Sequence, residues 1–289
     1  MPMIIQEKAC AKINISLDVA RRRDDGFHDM VMVMQSVSLA DEITIEPDNS
    51  GKVHAQCSLR YIPGDERNLA VKAAVKYLEA VGEHTDGLKI TVKKNIPVGA
   101  GMGGGSADAA AVLRGMNRLY GGKLSSDELE ALAADTGSDV AFCLRGGTML
   151  ATGRGEILSP LPPMPECYFV ICKPTFSIST PELFKKVDQI KLCRHPDTAG
   201  LVEAIGSGEL QGICRRMYNV FEDVDDRRMR TVAAIKSRLL DLGALGSVMT
   251  GTGSAVFGIF DDEAAADKAR EVLAGEVGFA CTAVPVKEV

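Results

Sequence analysis

The stretch Val98–Ala111 reads "VGAGMGGGSADAAA", with five glycines in the seven positions Gly99–Gly105 directly ahead of a run of small helix-forming residues. Glycine costs roughly 0.5–1 kcal/mol more than alanine in regular structure, so such density needs a physical reason. Close packing of a helix on a sheet needs one or two glycines and leaves the others unexplained. A nest of bare backbone N–H groups at a helix N-terminus uses them all, because each glycine lets the backbone approach an anion. The helix dipole adds positive potential equivalent to about half a charge. The stretch reads as a phosphate cradle, with Ser106 the expected N-cap of the helix that follows.

Three phosphate-loop chemistries compete for it. A Walker A loop needs G-x-x-x-x-G-K-[ST], and no such string exists, Gly122–Lys123 being followed by Leu124. The dinucleotide fingerprint G-x-G-x-x-G is present at Gly99, Gly101 and Gly104. Its context requires a second strand ending in an acidic residue about 20 positions on. Here the next segment is a helix instead, with Ser125 and Glu128 forming a capping box for "SDELEALAADTG". The protein-kinase set fails as well, with no H-R-D or D-F-G downstream.

Around the loop the chain reads as mixed α+β. "LKITVKK" is a strand leading into it. "AKINISLDV" alternates, with Ile13, Ile15, Leu17 and Val19 on one face and Lys12, Asn14, Ser16 and Asp18 on the other. "MVMVMQSVSL" and "DEITIE" continue the strand pattern, and "NLAVKAAVKYLEAVG" is an amphipathic helix opened at Asn68 and closed by Gly82. Strands at "CYFVICKP", "GSVMT", "SAVFGIF" and "FACTAVPV" follow later, with helices near Asp225–Leu242 and Asp262–Ala274. Between the halves, "ILSPLPPMPEC" carries Pro160, Pro162, Pro163 and Pro165, a density that breaks helix and sheet alike. A length of 289 residues favours about two domains. The division is expected as 1–160 and 161–289, without the regular β-α alternation of a doubly wound sheet.

The formal net charge is −6, so an anion must be held by local dipoles and a few placed cations. No basic stripe suits a nucleic acid: the densest run, Arg21–Arg23, is followed at once by Asp24 and Asp25 and reads as a solvated turn. The eight cysteines are scattered, and the closest pair, Cys167 and Cys172, lacks C-x-x-C spacing, which argues for reduced thiols rather than zinc. "MPMIIQEKACAKINI" is interrupted by Glu7 and Lys8, and no run is long enough to span a membrane. A cytoplasmic protein without a membrane or nucleic-acid partner is expected.

With these stretches in hand, the chain resembles the GHMP kinases, the family of galactokinase, homoserine kinase, mevalonate kinase and phosphomevalonate kinase. "NIPVGAGMGGGSADAA" is similar to their phosphate loop, and "MTGTGSAVFGIF" to their third motif. "AKINISLDVARRRDDGFHDM" and "TGSDVAFCLRGGTMLATGRGE" resemble the branch that phosphorylates a cytidine-diphosphate-linked polyol in non-mevalonate isoprenoid synthesis. Phe27 stands where that branch commonly has tyrosine, and Ala141 where it commonly has proline. The motifs run from Ala11 to Phe260, nearly the whole chain.

The resemblance implies a two-domain α+β kinase: an N-terminal domain like domain 2 of ribosomal protein S5 and a ferredoxin-like C-terminal domain. It implies ATP as co-substrate with Mg2+, whose ligands stay open although Ser106 is a candidate. Pro97, Val98, Gly99, Ala100, Gly101, Met102, Gly103, Gly104, Gly105, Ser106 and Ala107 would bind ATP along the loop, with Asn68, Leu69 and Lys94 near adenine and ribose. Asp139 would take the proton of the attacking hydroxyl, as carboxylates do in phosphoryl transfer. Lys12 would sit beside it and favour its ionised form. On the acceptor side the resemblance places Asn14, Phe27, His28, Phe184, Gly251, Thr252 and Gly253, with His28 hydrogen-bonding the cytosine. A monomer or homodimer is expected. Three rival readings are another small-molecule kinase of the same family, which would lack "DGFH"; a nucleotide sensor, which would lack the lysine–aspartate pair; and a dinucleotide-dependent oxidoreductase.

Overall fold

In the computed structural model, which describes residues 3–288, the alternating run at the N-terminus forms one long strand, β1 (Ile5–Arg22). It pairs antiparallel with β2 (His28–Pro47), which merges both following β-patterned stretches into twenty residues. Register shifts at Cys10/Lys12, Asn14/Ser16 and Val19/Arg21 bend this pair. Strands β3 (Val53–Cys57) and β4 (Leu88–Lys93) extend the sheet along the far end of β2. Strands β5 (Thr148–Thr152) and β6 (Ile157–Pro160) add to its near end.

Four helices accompany this sheet. Helix α1 (Leu69–Val81) opens on Asn68, whose side chain accepts from the Ala70 N–H, and closes on Gly82 in the left-handed conformation, as expected. Helix α2 (Gly104–Leu119) follows the glycine loop and lies against β1, β2 and α1. The capping box of Ser125 and Glu128 opens α3 (Ser126–Thr136), and α4 (Ser138–Arg145) starts two residues after α3 ends.

The four-proline stretch carries the chain from β6 to a second sheet. That sheet holds β7 (Tyr168–Lys173), β9 (Gly246–Met249), β10 (Val256–Phe260) and β11 (Phe279–Ala283), all antiparallel in the order β11-β7-β10-β9. Numbered by chain order this is 4-1-3-2, the ferredoxin-like arrangement, with α8 (Arg227–Asp241) and α9 (Glu263–Ala274) as its two crossover helices. Between β7 and α8 the chain inserts α5 (Thr180–Val187), α6 (Thr198–Ser207), α7 (Leu210–Arg215) and a short strand β8 (Tyr218–Asn219).

Strand β8 leaves the second half and pairs parallel to β1 at Ser16 and Leu17. The segment after β11 also returns, with the Ser38 N–H donating to the Val284 carbonyl and the Val286 N–H to the Ser36 carbonyl. The middle of β1 is buried on both faces. Its apolar set Ile13, Ile15, Leu17 and Val19 is buried, and so are Lys12, Asn14 and Ser16 on the polar set. Asn14 and Ser16 meet Thr250 and Tyr218 of the second half, whereas Lys12 packs against the glycine loop and Asp139.

Candidate active site

The loop between β4 and α2 is held by its own backbone. The expected N-cap, Ser106, is not the cap: α2 begins earlier, at Gly104, and its N-cap is Gly103 at φ +67°. Glycine takes that left-handed turn without a Cβ penalty, so the helix starts as soon as the turn allows. Gly103 offers no side chain, and no side-chain hydrogen bond caps α2. The N–H groups of its first turn, Ser106 included, are left to meet an external acceptor. Gly101 serves another need. A Cβ there would lie 2.2 Å from the Thr250 carbonyl oxygen and 3.0 Å from the Gly253 nitrogen, so two backbones meet where no side chain fits. The Ala255 N–H donates to the Ala100 carbonyl at 3.1 Å, and Thr250 Oγ1 to the Gly101 carbonyl at 3.3 Å.

Lys12 and Asp139 come together beside this loop. Asp139 sits in the first turn of α4, and its Oδ2 lies 3.6 Å from Lys12 Nζ. The lysine is buried, while the aspartate side chain keeps a third of its surface exposed toward the cavity. The Lys12 N–H donates to the Met102 carbonyl at 3.1 Å, which ties β1 to the loop. Lys12 Nζ donates to Asn14 Oδ1 at 2.9 Å. Asn14 is fully buried; its backbone N–H donates to Thr250 Oγ1 at 3.0 Å, and it does not line the cavity. The neighbouring third motif is held by Asn219 Nδ2, which donates to the carbonyls of Met249 and Gly251 at 2.8 Å each.

Two cavities meet at the loop. One, of about 380 Å³, is lined by Asn68, Leu69, Lys94, Asp108 and every residue from Ile96 to Ser106, with Ile62, Pro63 and Arg67 opposite. The other, of about 430 Å³, is lined by Lys12, Ser138, Asp139, Arg154, Thr180, Phe184, Phe221 and the third-motif residues Gly251, Thr252 and Gly253. Gly99, Gly101, Gly103 and Ser106 belong to both. Ala107 is buried just behind them in α2. A wider hollow of about 560 Å³ between α8 and α9 includes none of these residues.

On the first cavity's wall, Lys94 is a buried cation between two carboxylates. Its Nζ lies 2.5 Å from Asp41 Oδ2 and 2.7 Å from Asp108 Oδ2. Burial alone would lower the lysine's pKa, but the charges of Asp108 and Asp41 outweigh it and leave it raised. Asp41 Oδ1 accepts from the Asn95 and Ile96 N–H groups and so fixes the entrance to the loop. Burial pushes the Asp108 carboxyl up to about 7 against the pull of Lys94, and its Oδ1 has no partner among the described residues. Asn68 is occupied as the cap of α1, with Nδ2 donating to the Pro63 carbonyl at 2.9 Å.

On the far side of the second cavity the expected aromatics separate. Phe184 lines it, stacked on the His28 ring at 4.7 Å and 26° and edge-on to Phe221 at 4.9 Å. His28 is buried behind Phe184, its Nε2 2.7 Å from Asp188 Oδ1. Phe27 lines neither cavity and is 55% exposed, with the Arg154 guanidinium of the cavity wall 5.1 Å from its ring centre. Arg154, Thr180, Asp41, Asp108 and Asp188 went unread in the sequence. Only Asp108 carried a signal, as a lone charge within the alanine-rich run of α2.

Comparison with known proteins follows the same division. The GHMP kinases N terminal domain model matches residues 68–147, and the GHMP kinases C terminal model matches residues 201–278. The 4-diphosphocytidyl-2-C-methyl-D-erythritol kinase of Clostridium perfringens is 42% identical over 272 residues, 94% of each chain. The kinase of the same name from Bacillus licheniformis is 44% identical over 279 residues, 96% of this chain and 94% of its own. A crystal structure of 4-(cytidine 5'-diphospho)-2C-methyl-D-erythritol kinase superposes with a TM-score of 0.81 at 35% identity, covering 97% of this chain and 99% of that one.

Proposed function

The chain belongs to the GHMP kinase family, and from that premise we propose how its two cavities divide the labour of an ATP-dependent small-molecule kinase. The enzyme phosphorylates 4-diphosphocytidyl-2-C-methyl-D-erythritol, in the non-mevalonate route to isoprenoid precursors. The cavity lined by Asn68, Leu69 and Lys94 takes adenine and ribose. The loop Pro97–Ala107 cradles the phosphates on the uncapped first turn of α2. The other cavity takes the acceptor, whose 2-hydroxyl meets Asp139. The observation that carries this reading is the loop shared between the two cavities, with the Lys12–Asp139 pair lining one of them only.

In the reaction Asp139 accepts the hydroxyl proton while the oxygen forms its bond to the γ-phosphorus, and the bond to the β-γ bridging oxygen breaks to release ADP. Lys12, anchored by Asn14 and by the Met102 carbonyl, holds a fixed positive charge beside that carboxylate. We read Asn14 as the residue that orients Lys12, since it is fully buried. His28 and Phe184 contact the cytosine, with Phe27 supporting Arg154 at the rim, and Gly251, Thr252 and Gly253 close over the acceptor beside the loop.

The residues present fit a magnesium ion carried in with the nucleotide. Ser106 and Asp139 line one cavity, and no group of three or more His, Cys, Asp or Glu suited to hold a metal occurs among the described residues. Magnesium takes most of its oxygens from phosphates and water, so one hydroxyl and one carboxylate suffice. When bound, the ion neutralises charge on the transferring phosphates. We read residues 1–160 as the nucleotide-binding half and 161–289 as the half that completes the acceptor cavity. We also read the protein as a cytoplasmic monomer or homodimer that needs neither nucleic acid nor membrane. The net charge of −6 gives no bulk attraction for a nucleic acid, and no helix among the described residues is long and apolar enough to cross a membrane.

The test is ADP release by the purified protein given ATP and magnesium with the cytidine-linked polyol, homoserine or mevalonate. Turnover with the first alone is expected. Equal turnover with homoserine or mevalonate would overturn the acceptor assignment.

A further inference from the structure

We propose that Asp188 is a positioning residue for the acceptor's base: it fixes the tautomer of His28 and thereby selects cytosine over uracil. The inference rests on the reading of His28 as a base-contacting residue and adds what makes that contact selective.

Asp188 is the C-cap of α5, and Phe184 lies one turn earlier on the same helix. Residues four apart share a helix face, and these two meet the same imidazole. Phe184 covers its face at 4.7 Å, and Asp188 Oδ1 lies 2.7 Å from its Nε2. An ionised carboxylate only accepts hydrogen bonds, so the proton of the neutral ring stands on Nε2. Nδ1 is then a bare acceptor, since the ring's hydrogen bond among the described residues is made at Nε2.

A carboxylate at a helix C-terminus opposes the helix dipole, so its placement asks for compensation. Arg22 Nη1 supplies it from β1, 3.7 Å from Asp188 Oδ2. Helix α5 is itself held in place, by Lys186 on Asp226 at 2.7 Å and by Arg228 on Glu182 at 2.7 Å. The ring is therefore clamped on its face and at one nitrogen by a single anchored helix, with the other nitrogen left free. A bare nitrogen accepts from the 4-amino group of cytosine. The 4-oxygen of uracil at the same place would set lone pair against lone pair.

The test combines two readouts on the full-length protein. Nitrogen-15 spectra of histidine-labelled enzyme report which ring nitrogen of His28 carries the proton. Steady-state kinetics compare the cytidine-diphosphate-linked acceptor with its uridine analogue, and follow the KM for ATP. In the parent Nδ1 is expected bare and the cytidine acceptor preferred. Asp188→Asn offers Nε2 both a donor and an acceptor, so it should mix the tautomers and cut the preference about tenfold, with the KM for ATP unchanged. Asp188→Glu should restore both in part, which a general loss of packing would not do.

A protonated Nδ1 in the parent overturns the proposal even if no variant folds. It is also overturned if Asp188→Asn keeps the base preference while His28→Ala loses it. If His28→Ala keeps the preference too, the base-contact reading itself falls, and this proposal with it.

Discussion

The two sides of the cleft are built from different materials. On the proposed nucleotide side the phosphates would be held by backbone: five glycines, an uncapped helix turn and a loop pressed against Thr250–Ser254. On the acceptor side the work falls to side chains that reach across the chain, Lys12 to Asp139, His28 to Asp188, Thr180 to Thr252. A phosphate is the same in every nucleotide, so a nest of N–H groups suffices to recognise it. An acceptor differs from its analogues by single polar groups, and only placed side chains tell those apart.

The largest expected effect lies where the two sides join. Asp139→Asn keeps the shape of the side chain and removes its ability to take a proton. It should lower kcat by about 10²–10⁴-fold, the range for a lost general base. ATP affinity, measured by titration, should survive, because the nucleotide side does not depend on that carboxylate. Turnover within a few-fold of the parent would reduce Asp139 to a residue of the α4 N-terminus and break the division.

A second substitution tests the backbone side. Gly101→Ala places a Cβ 2.2 Å from the Thr250 carbonyl oxygen at a φ of +75°. Overpacking and left-handed strain together should cost about 2–4 kcal/mol of stability and weaken ATP binding. Gly121, at φ +77°, faces open space. Its replacement by alanine should cost about 1 kcal/mol from backbone strain alone and leave ATP affinity intact. Denaturant unfolding with ATP titration of both variants separates the two, and equal losses would mean that close approach to Thr250 is not what the loop requires.

The same contrast governs how much the sequence revealed. Glycine density, the caps at Asn68 and Gly82 and the Ser125–Glu128 box are local signals, and each marks an element that forms as expected. Alternation along β1 gave the strand but not what covers it. A period of two reports that residues share a face; Asn14 is buried because Thr250 of the third motif returns to it, and Lys12 because the glycine loop and Asp139 pack on it. The early start of α2 at Gly104 also went unread, since Ser106 looked like a cap while Gly103 could turn without one. Asp188 lies 160 residues from His28, and Asp41 lies 53 from Lys94. No periodicity or spacing rule links positions that far apart, so such pairs emerge only from the fold.

The smallest expected effect sharpens the comparison by asking what lies beneath the nucleotide side's backbone. Lys94 is held between Asp41 and Asp108, and burial raises the Asp108 carboxyl from 3.8 to about 7. Between those values the folded chain keeps a proton there that the unfolded chain has released. Unfolding then gives up a proton, so stability falls as pH rises through this window, and the slope fades above about 7 where the folded form ionises too. One group contributes at most about 1.4 kcal/mol per pH unit. Asp108→Asn keeps the size of the side chain and removes the titration, so its urea midpoint should fall less steeply between pH 5 and pH 7 than the parent's. The loop backbone, tied to Asp41 rather than to Asp108, should still bind ATP in the variant at pH 8. Parallel pH curves for parent and variant would show that Asp108 is ionised in the fold throughout. The Lys94 cluster would then be a charged anchor beneath the phosphate loop, built from side chains like those of the acceptor side.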